Sequence, residues 1–216
     1  MKSSIMAVFD LDGTIIVGRS IENSFIKYLL KERKLKTNNI FNSIAYYLKK
    51  VWKDPVEAVK RNKMYLKGIR IKEVDLWVEE FMREKAKELI SPKVVDLIKH
   101  HKNIGHITVL ITGDIKILVD PLPFNQFFDY VYTAGLETAD GIYTGHIKGR
   151  HYYGRSKTDL VMQLASKLCA DLSQSYCYAN SKSDIDLMSV FGYPVAVTPD
   201  RHLKKAVLMH KWKVFE

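Results

Sequence analysis

The nine residues from Val8 to Ile16 read V-F-D-L-D-G-T-I-I, and they decide the fold and the site of this 216-residue chain. An apolar run ends at Asp10, and Asp12 follows two positions later, so an extended strand directs both carboxylates to the same side. Gly13 and Thr14 then turn the chain sharply. Two convergent acids at the end of a buried strand cost free energy unless a cation or an electrophilic phosphorus lies between them. An ordinary Asp-rich turn has the same pattern, but the later motifs favour a functional site.

The composition is that of a globular protein, with 47% hydrophobic residues and a formal net charge of +10. Apolar runs such as residues 5–9 and 194–197 are too short to cross a membrane, and the first strand leaves no room for a signal peptide. We therefore expect a cytoplasmic protein. Cys169 and Cys177 both lie in segments that we expect to be buried, which argues against a disulfide framework and a zinc site.

The chain divides into a first strand, a helical block and an alternating region. Residues from about 20 to about 90 show apolar side chains at helical spacing and no strand-like run. From Ser91-Pro92, a typical helix start, strands at 107–112, 130–132, 176–178 and 194–197 alternate with helices, including 156–168 and 184–190. This alternation predicts an α/β fold with a doubly wound, Rossmann-like parallel sheet. We expect residues 1–18 and 91–216 to form the α/β core and residues 19–90 to form an inserted helical domain.

In such a sheet, ligands bind beyond the carboxyl ends of the strands. The strand 107–112 ends in Thr112-Gly113, where a hydroxyl is followed by a glycine N–H that can approach an anion closely. Ahead of a later helix, Ser156 and Asp159 fit a capping box, which places Lys157 at the first helical position. A cation at a helix N-terminus is mildly unfavourable, so Lys157 suggests an anionic partner.

A fourth loop at the same edge, A-N-S-K-S-D at 179–184, brings Asn180 and Asp184 to the rim. Each loop alone has an ordinary explanation: a turn, a solvated lysine, or a helix cap at Asp184. Four rim loops that all carry groups suited to phosphate or magnesium together predict one site.

Taken together, these motifs resemble those of the haloacid dehalogenase (HAD) superfamily, specifically its phosphoserine-phosphatase-like branch, subfamily IB. The resemblance rests on D-L-D-G-T, L-I-T-G at 110–113, D-G-I-Y-T-G at 140–145, Lys157, and the run from Asp184 to P-V-A-V-T-P-D at 194–200. It implies a HAD-like core with a helical cap at 19–90. It also implies a Mg²⁺-dependent phosphomonoester hydrolase that acts on a small phosphorylated metabolite.

The resemblance further implies a role for each candidate residue. Asp10 is the implied nucleophile, which forms an aspartyl-phosphate, and Asp12 is the implied general acid and base. The other implied roles are phosphate binding by Thr112, Gly113 and Lys157, and Mg²⁺ binding by Asp10, Asp12, Asn180 and Asp184.

Two positions depart from the family pattern. Asn180 stands where the resemblance leads us to expect an aspartate, so Mg²⁺ should bind more weakly, and a non-catalytic phospholigand-binding relative stays an alternative. Arg19 stands near the place of a cap glutamate that grips the ammonium of phosphoserine, with Glu22 one helical turn further on. An arginine there favours an anionic or neutral leaving group.

The excess positive charge is concentrated in the helical block. Residues 17–91 hold 18 Lys or Arg and 10 Asp or Glu, so +8 of the net +10 lies there and would steer anions toward the cleft. The run Y-Y-L-K-K-V-W-K at 46–53 mixes aromatic residues and lysines as interfacial helices do. We expect its apolar stripe to pack against neighbouring helices. An alternative is that the protein associates weakly with an anionic membrane surface. It would then be a phosphatase that acts on phosphatidylglycerophosphate or lysophosphatidate headgroups.

No nucleic-acid partner is expected, because no recognition motif accompanies the basic charge. The sequence does not indicate an oligomeric state.

Overall fold

A seven-stranded sheet forms the centre of the computed structural model, which describes residues 3–18 and 20–216. Its strands are β1 (Met6–Phe9), β2 (Ile107–Ile115), β3 (Tyr130–Ala139), β4 (Ile142–Lys148), β5 (Tyr176–Ala179), β6 (Tyr193–Val197) and β7 (Lys213–Phe215). Their order in the sheet is β4-β3-β2-β1-β5-β6-β7. Neighbours run parallel except for the antiparallel hairpin β3–β4. The predicted α/β fold is confirmed.

Strand β1 lies in the middle of the sheet, and its alternate side chains enter two apolar layers. Ala7 and Phe9 are fully buried on one face, and Met6 and Val8 are fully buried on the other. Phe9 stacks on Tyr178 of β5 with ring centroids 4.5 Å apart. An uninterrupted apolar strand is what a sheet covered by helices on both faces requires. This double burial fixes the strand end from which Asp10 projects.

Helices make up most of residues 20–90, which we call the cap. They are α1 (Ile21–Lys31), α2 (Thr37–Lys50), α3 (Pro55–Lys60), α4 (Ile71–Phe81) and α5 (Lys87–Leu89), with a π-helical turn at Met82–Ala86. Helix α1 begins after Ser20, whose hydroxyl accepts a hydrogen bond from the Asn23 N–H at 3.1 Å. The division into a core domain and a cap domain stays a prediction.

The remaining helices flank the sheet. They are α6 (Pro92–Asn103), α7 (Lys116–Val119), α8 (Arg155–Leu168), α9 (Ile185–Met188) and α10 (Arg201–His210). The predicted start of α6 is confirmed, because the Ser91 hydroxyl accepts a hydrogen bond from the Val94 N–H at 3.4 Å. Within the described ranges, no helix combines the length and the apolar character that crossing a bilayer requires.

Two strands were absent from the prediction, and two run at least three residues longer than predicted. β2 continues past Thr112 to Ile115, β3 continues to Ala139, and β4 and β7 were missed. Asp140 and Gly141 join β3 to β4 with φ values of 50° and 75°, a hairpin geometry that an Asp-Gly pair favours. The signal for β4 was weak because several of its side chains face solvent and break the apolar alternation.

The β3–β4 hairpin also contacts the cap through the backbone. The Gly68 N–H donates to the Tyr143 carbonyl, the Tyr143 N–H to the Ile69 carbonyl and the Ile71 N–H to the Gly141 carbonyl, each at 2.9 Å. These bonds connect the cap to the core at a point distant in sequence from both linkers.

The outward face of α2 corrects one expectation. Phe41, Ile44 and Leu48 are 68%, 52% and 59% exposed, so the apolar stripe does not pack against neighbouring helices as predicted. Asn39 is buried in their place. Helical periodicity identifies a face of a helix but not the direction in which that face points.

The prediction of two buried cysteines is correct for Cys177 and wrong for Cys169. Cys169 is exposed because it ends α8 in a left-handed conformation, with φ of 50°, at the surface.

Candidate active site

A cleft of about 310 Å³ lies beyond the carboxyl ends of β1, β2 and β5, where they face the cap. Every predicted site residue in the described part of the chain lines it. They are Asp10, Asp12, Thr112, Gly113, Lys157, Asn180 and Asp184. Arg19, the predicted specificity residue, lies outside the described residues. The sequence motifs therefore converge in space, as the topology of a parallel sheet requires.

Asp10 directly follows β1 and is 7% exposed. Its N–H donates to the Tyr178 carbonyl at 2.9 Å, which fixes the backbone. One carboxylate oxygen, Oδ1, accepts a hydrogen bond from Lys157 Nζ at 2.6 Å, and Oδ2 lies 3.5 Å from the Thr14 hydroxyl. Burial raises the pKa of Asp10 to about 6, although the charge of Lys157 opposes the shift. The carboxylate is therefore mostly ionised at neutral pH.

Asp12 lies in the turn that follows. Its Oδ1 accepts a hydrogen bond from the Ile21 N–H at 2.9 Å, at the start of α1. Gly13, with φ of 76°, makes the turn in a conformation that favours glycine. Burial, and next the charge of Asp114, raise the pKa of Asp12 well above its usual range. The surroundings therefore favour the protonated form of Asp12 more strongly than that of Asp10.

Asp114 is a buried carboxylate that the sequence analysis missed. The Thr112 hydroxyl donates to Asp114 Oδ2 at 2.7 Å, and the Asp114 N–H donates back to the Thr112 oxygen at 3.1 Å. The side chain is 6% exposed and lines the cleft. The signal that was overlooked is the spacing, because residues two apart on a strand share a face.

Lys157 reaches the cleft from α8 and is 4% exposed. Besides Asp10, its Nζ donates to Asp184 Oδ1 at 2.8 Å, and Asp184 Oδ2 accepts from Ser181 Oγ at 2.8 Å. Burial alone would lower the pKa of Lys157, but Asp10 and Asp184 raise it well above the usual value. The ammonium is therefore charged at neutral pH.

The local setting of Lys157 differs from the prediction. Helix α8 begins at Arg155, so Lys157 is not the first helical residue, and no capping box forms. Gly154 precedes the helix without a side-chain cap, and the Ser156 hydroxyl bonds to Tyr153 instead, accepting from its N–H at 2.8 Å. Lys157 is placed in the cleft by its two carboxylate partners.

Asn180 follows β5 and lies against the turn at Gly13. A Cβ built on Gly13 would come within 1.8 Å of Asn180 Nδ2, so the carboxamide fills the space that glycine leaves. The Asn180 carbonyl accepts a hydrogen bond from the Asp200 N–H at 2.8 Å. The described residues contain no group of three or more His, Cys, Asp or Glu side chains placed to hold a metal ion. A metal here would need mixed donors, including backbone carbonyl and amide oxygens.

The cap wall of the cleft carries Glu22 and Lys60. Glu22 is already neutralised, because Lys63 Nζ, in a residue 1% exposed, lies 2.5 Å from its Oε2. The Tyr65 hydroxyl donates to Glu22 Oε1 at 2.9 Å. Lys60 Nζ lies 5.6 Å from the centroid of the Tyr153 ring. The cap side of the cleft therefore presents net positive charge.

His151 is a second cleft residue that the sequence analysis missed. Its ring lies close to Gly113, since a Cβ built there would be 3.0 Å from His151 Nε2. Burial, followed by the charges of Lys63, Arg61 and Lys60, lowers the pKa of His151 to about 4. The imidazole is neutral at physiological pH. No sequence pattern around His151 signalled this position.

Comparisons with known proteins agree with this architecture. Histidinol-phosphatase of Neisseria meningitidis serogroup C (strain 8013) is 27% identical over 97% of this chain and 97% of that protein. A protein of unknown function from Bordetella pertussis Tohama I has the same fold, with a TM-score of 0.82 at 22% identity over 100% of this chain and 99% of that one. A phosphoserine phosphatase solved as its phospho-aspartyl intermediate analogue superposes with a TM-score of 0.65 at 18% identity, over 99% of this chain and 93% of that one.

The family model for haloacid dehalogenase-like hydrolases matches residues 7–189, which include all seven described candidates from Asp10 to Asp184. The predicted superfamily and the predicted enzyme class, a hydrolase whose curated relatives include phosphatases, are confirmed. The solved phosphoserine phosphatase shares its fold with this chain, which agrees with the predicted branch. With its strand-end aspartates, its buried lysine and its helical cap on a parallel sheet, the chain belongs to the haloacid dehalogenase-like hydrolases.

Proposed function

We propose that this hydrolase is a Mg²⁺-dependent phosphomonoester phosphatase that forms an aspartyl-phosphate on Asp10. The observation that carries the proposal is the buried Asp10 carboxylate, held at 2.6 Å by Lys157 at the floor of the cleft. A buried carboxylate that stays ionised and has one oxygen fixed by a cation is suited to nucleophilic attack.

In the first step, Asp10 Oδ2 attacks phosphorus, because Lys157 engages Oδ1 and the contact from Oδ2 to Thr14 is long at 3.5 Å. A bond forms between Oδ2 and phosphorus while the ester oxygen leaves and takes a proton from Asp12. In the second step, Asp12 takes a proton from water, which attacks phosphorus and releases Asp10 and inorganic phosphate. The raised pKa of Asp12 supports its role as the proton donor.

Thr112, Gly113 and Lys157 would bind the phosphoryl oxygens. The Thr112 hydroxyl donates to Asp114 in the structure, so it would turn toward a phosphoryl oxygen when substrate binds. Lys157 would offset the negative charge that Asp10 and the phosphoryl group bring together. The close approach of His151 to Gly113 leaves little room on that side, which suits a group as small as a phosphoryl group.

The charge of the site fits a divalent cation. Among the described residues lining the cleft wall opposite the cap are four carboxyl groups and a single buried ammonium, that of Lys157. The carboxyl groups are those of Asp10, Asp12, Asp114 and Asp184. Hard cations prefer such oxygen donors. Mg²⁺ would be held by the Asp10 carboxylate, the Asp12 carbonyl, Asn180 and Asp184, and would supply Lewis-acid and charge-neutralising chemistry.

The cap wall supports a leaving group that is anionic or neutral. Glu22 is engaged by Lys63 and Tyr65, so its carboxylate is not available to a substrate ammonium. Lys60 lines the same wall and would attract an anionic group. The substrate class that we propose is small phosphorylated metabolites of this kind.

An aryl-phosphate assay with Mg²⁺ tests the proposal. Asp10→Asn should lower kcat by roughly three orders of magnitude or more, as expected for loss of a covalent nucleophile. Asp186→Asn is the matched control, because Asp186 is exposed on α9 two residues after Asp184. Wild-type turnover that survives EDTA, or a folded Asp10→Asn protein with more than about a tenth of wild-type kcat, would contradict the mechanism.

A further inference from the structure

Helix α2 is amphipathic, but its apolar face points outward, whereas a surface helix of a soluble domain usually buries its apolar face. Its outward face carries Phe41, Ile44, Leu48 and, just beyond the helix, Trp52, which are 68%, 52%, 59% and 90% exposed. These residues recur every three or four positions and therefore share one face. Scattered exposed apolar residues are ordinary, but a contiguous apolar stripe marks an interaction surface.

The inward face of α2 is polar, and side-chain hydrogen bonds of Asn39 and Asn62 connect it to the rest of the cap, although the buried Ser43 hydroxyl has no partner among the described residues. Asn39 is 5% exposed, and its Nδ2 donates to the Lys67 carbonyl at 2.8 Å. The Asn62 Nδ2 donates to the Ser43 carbonyl at 2.8 Å. Because these hydrogen bonds fix the rotation of the helix, the apolar stripe cannot turn inward without leaving buried polar groups unpaired.

The apolar surface continues onto α3, where Val56 and Val59 are 44% and 59% exposed. Val59 and its neighbour Lys60 also line the cleft. The surface formed by Phe41, Ile44, Leu48, Trp52, Val56 and Val59, which we call the α2–α3 surface, therefore ends at the mouth of the cleft.

The charge around this surface points to the kind of partner. Residues 36–62 include six Lys or Arg and two Asp or Glu, a net charge of +4, without Lys63, which is buried against Glu22. Lys49 and Lys53 are exposed beside the apolar stripe, where long side chains can reach anionic groups while the stripe is buried. A second copy of this chain would bring two such positive surfaces together, which disfavours self-association.

We propose that the α2–α3 surface docks the enzyme on an anionic phospholipid bilayer. Helix α2, 14 residues and so about 21 Å long, would lie in the interface with its apolar side chains at the acyl boundary and its lysines among the headgroups. The mouth of the cleft would then open at the lipid surface. The proposal concerns binding alone and does not require turnover of a lipid.

Vesicle co-sedimentation tests this docking. We expect the wild-type protein to pellet with phosphatidylcholine vesicles that contain about 30 mol% phosphatidylglycerol and far less with phosphatidylcholine alone. Leu48→Gln/Trp52→Gln should weaken the partition coefficient by about tenfold or more, since two deeply inserted side chains become polar. The matched control is Leu208→Gln/Met209→Gln on α10, where the residues are 80% and 73% exposed, and it should bind as the wild type does.

Two further measurements separate charge from apolar insertion. Lys49→Glu/Lys53→Glu should lose binding to the anionic vesicles by a similar factor, with weak binding to neutral vesicles unchanged. Trp52 should shift its fluorescence to the blue when vesicles are added. Trp52→Phe should lose most of that shift, because Trp77 is only 8% exposed and Trp212 packs against the core of the sheet.

Several outcomes would overturn the proposal. The first is that the wild-type protein does not pellet with vesicles at low salt, and the second is that the α10 control loses binding equally. The third is a dimer in solution that Leu48→Gln/Trp52→Gln dissociates, because such a dimer would assign the surface to a second copy of the chain. Activity on a soluble aryl phosphate should be the same in all these variants, since the changed residues lie outside the catalytic cleft. Failure of docking would therefore leave the proposed phosphatase chemistry standing, and failure of catalysis would leave docking measurable.

Discussion

Replacing Lys157 with methionine tests how much the site depends on one buried charge. The ammonium lies 2.6 Å from Asp10 Oδ1 and 2.8 Å from Asp184 Oδ1, and the residue is 4% exposed. Methionine keeps an unbranched apolar stem but removes the cation, so two buried carboxylates lose their partner. Breaking a buried ion pair in this way costs roughly 3–5 kcal/mol of unfolding free energy.

The sign of the pH dependence follows from the pKa of Asp10. Burial raises that pKa to about 6 even with Lys157 in place, so its removal raises the pKa further. A carboxyl group whose folded pKa exceeds its unfolded value destabilises the fold as pH rises through the folded pKa. The loss of unfolding free energy in Lys157→Met should therefore be complete near pH 8 and clearly smaller near pH 5, where protonation neutralises Asp10.

Urea unfolding in EDTA at both pH values measures this effect. Lys167→Met is the matched control, because Lys167 is exposed ten residues further along α8. Aryl-phosphate activity of Lys157→Met should fall at least about a hundredfold, since the phosphoryl group would meet uncompensated negative charge. If Lys157→Met unfolds like the control at both pH values and keeps its activity, Lys157 does not balance the charge of this site.

Three further predictions concern other titratable or ligating groups. Burial, reinforced by two neighbouring histidines, lowers the pKa of His101 from 6.5 to about 4, so the free energy of unfolding should fall by ~3 kcal/mol as pH falls through that interval. In urea unfolding, the free energy of unfolding of His101→Gln should fall less steeply with acid than that of the wild type. An equal slope would exclude His101 as the cause. Asn180→Asp should lower the Mg²⁺ concentration for half-maximal activity by about tenfold, and a Mg²⁺ titration with unchanged or poorer activation would show that Asn180 is not a ligand. Asp114→Asn removes a charge that raises the pKa of Asp12, so the alkaline limb of the kcat profile should move to lower pH, whereas an unmoved limb would exclude Asp12 as the proton donor.

The parts of the site that follow buried strands could be predicted from the sequence. Asp10 and Thr112 each end a run of apolar residues, and parallel strands bring such ends to one edge. Lys157 could be assigned only through its motif, because its contact with Asp10 joins residues 147 positions apart. The error in the predicted position of Lys157 within its helix does not change the site, since the side chain is fixed by its carboxylate partners.

Other features depend on contacts that no local pattern encodes. His151 is buried near Gly113 and surrounded by basic side chains of the cap, an arrangement that only the tertiary structure creates. The outward orientation of the apolar stripe on α2 could not be predicted from a local pattern either, since periodicity gave the correct helix and the wrong orientation. Hydrogen bonds of Asn39 and Asn62 decide that orientation, and they involve groups far along the chain.

The backbone bonds between the β3–β4 hairpin and the cap bear on how molecules enter and leave. The cap is also bonded at its linkers, where the Val17 N–H donates to the Leu89 carbonyl at 2.7 Å and the Ser91 N–H to the Ile15 carbonyl at 2.9 Å. A cap that swung open as one piece would break three interpeptide bonds at the hairpin, each contributing about 0.5–1.5 kcal/mol. Entry through the mouth of the cleft, which Val59 and Lys60 line, would break none of these bonds. If the cap keeps these bonds during turnover, we expect the width of the cleft mouth, and not the length of a leaving group, to limit which phosphate esters can react.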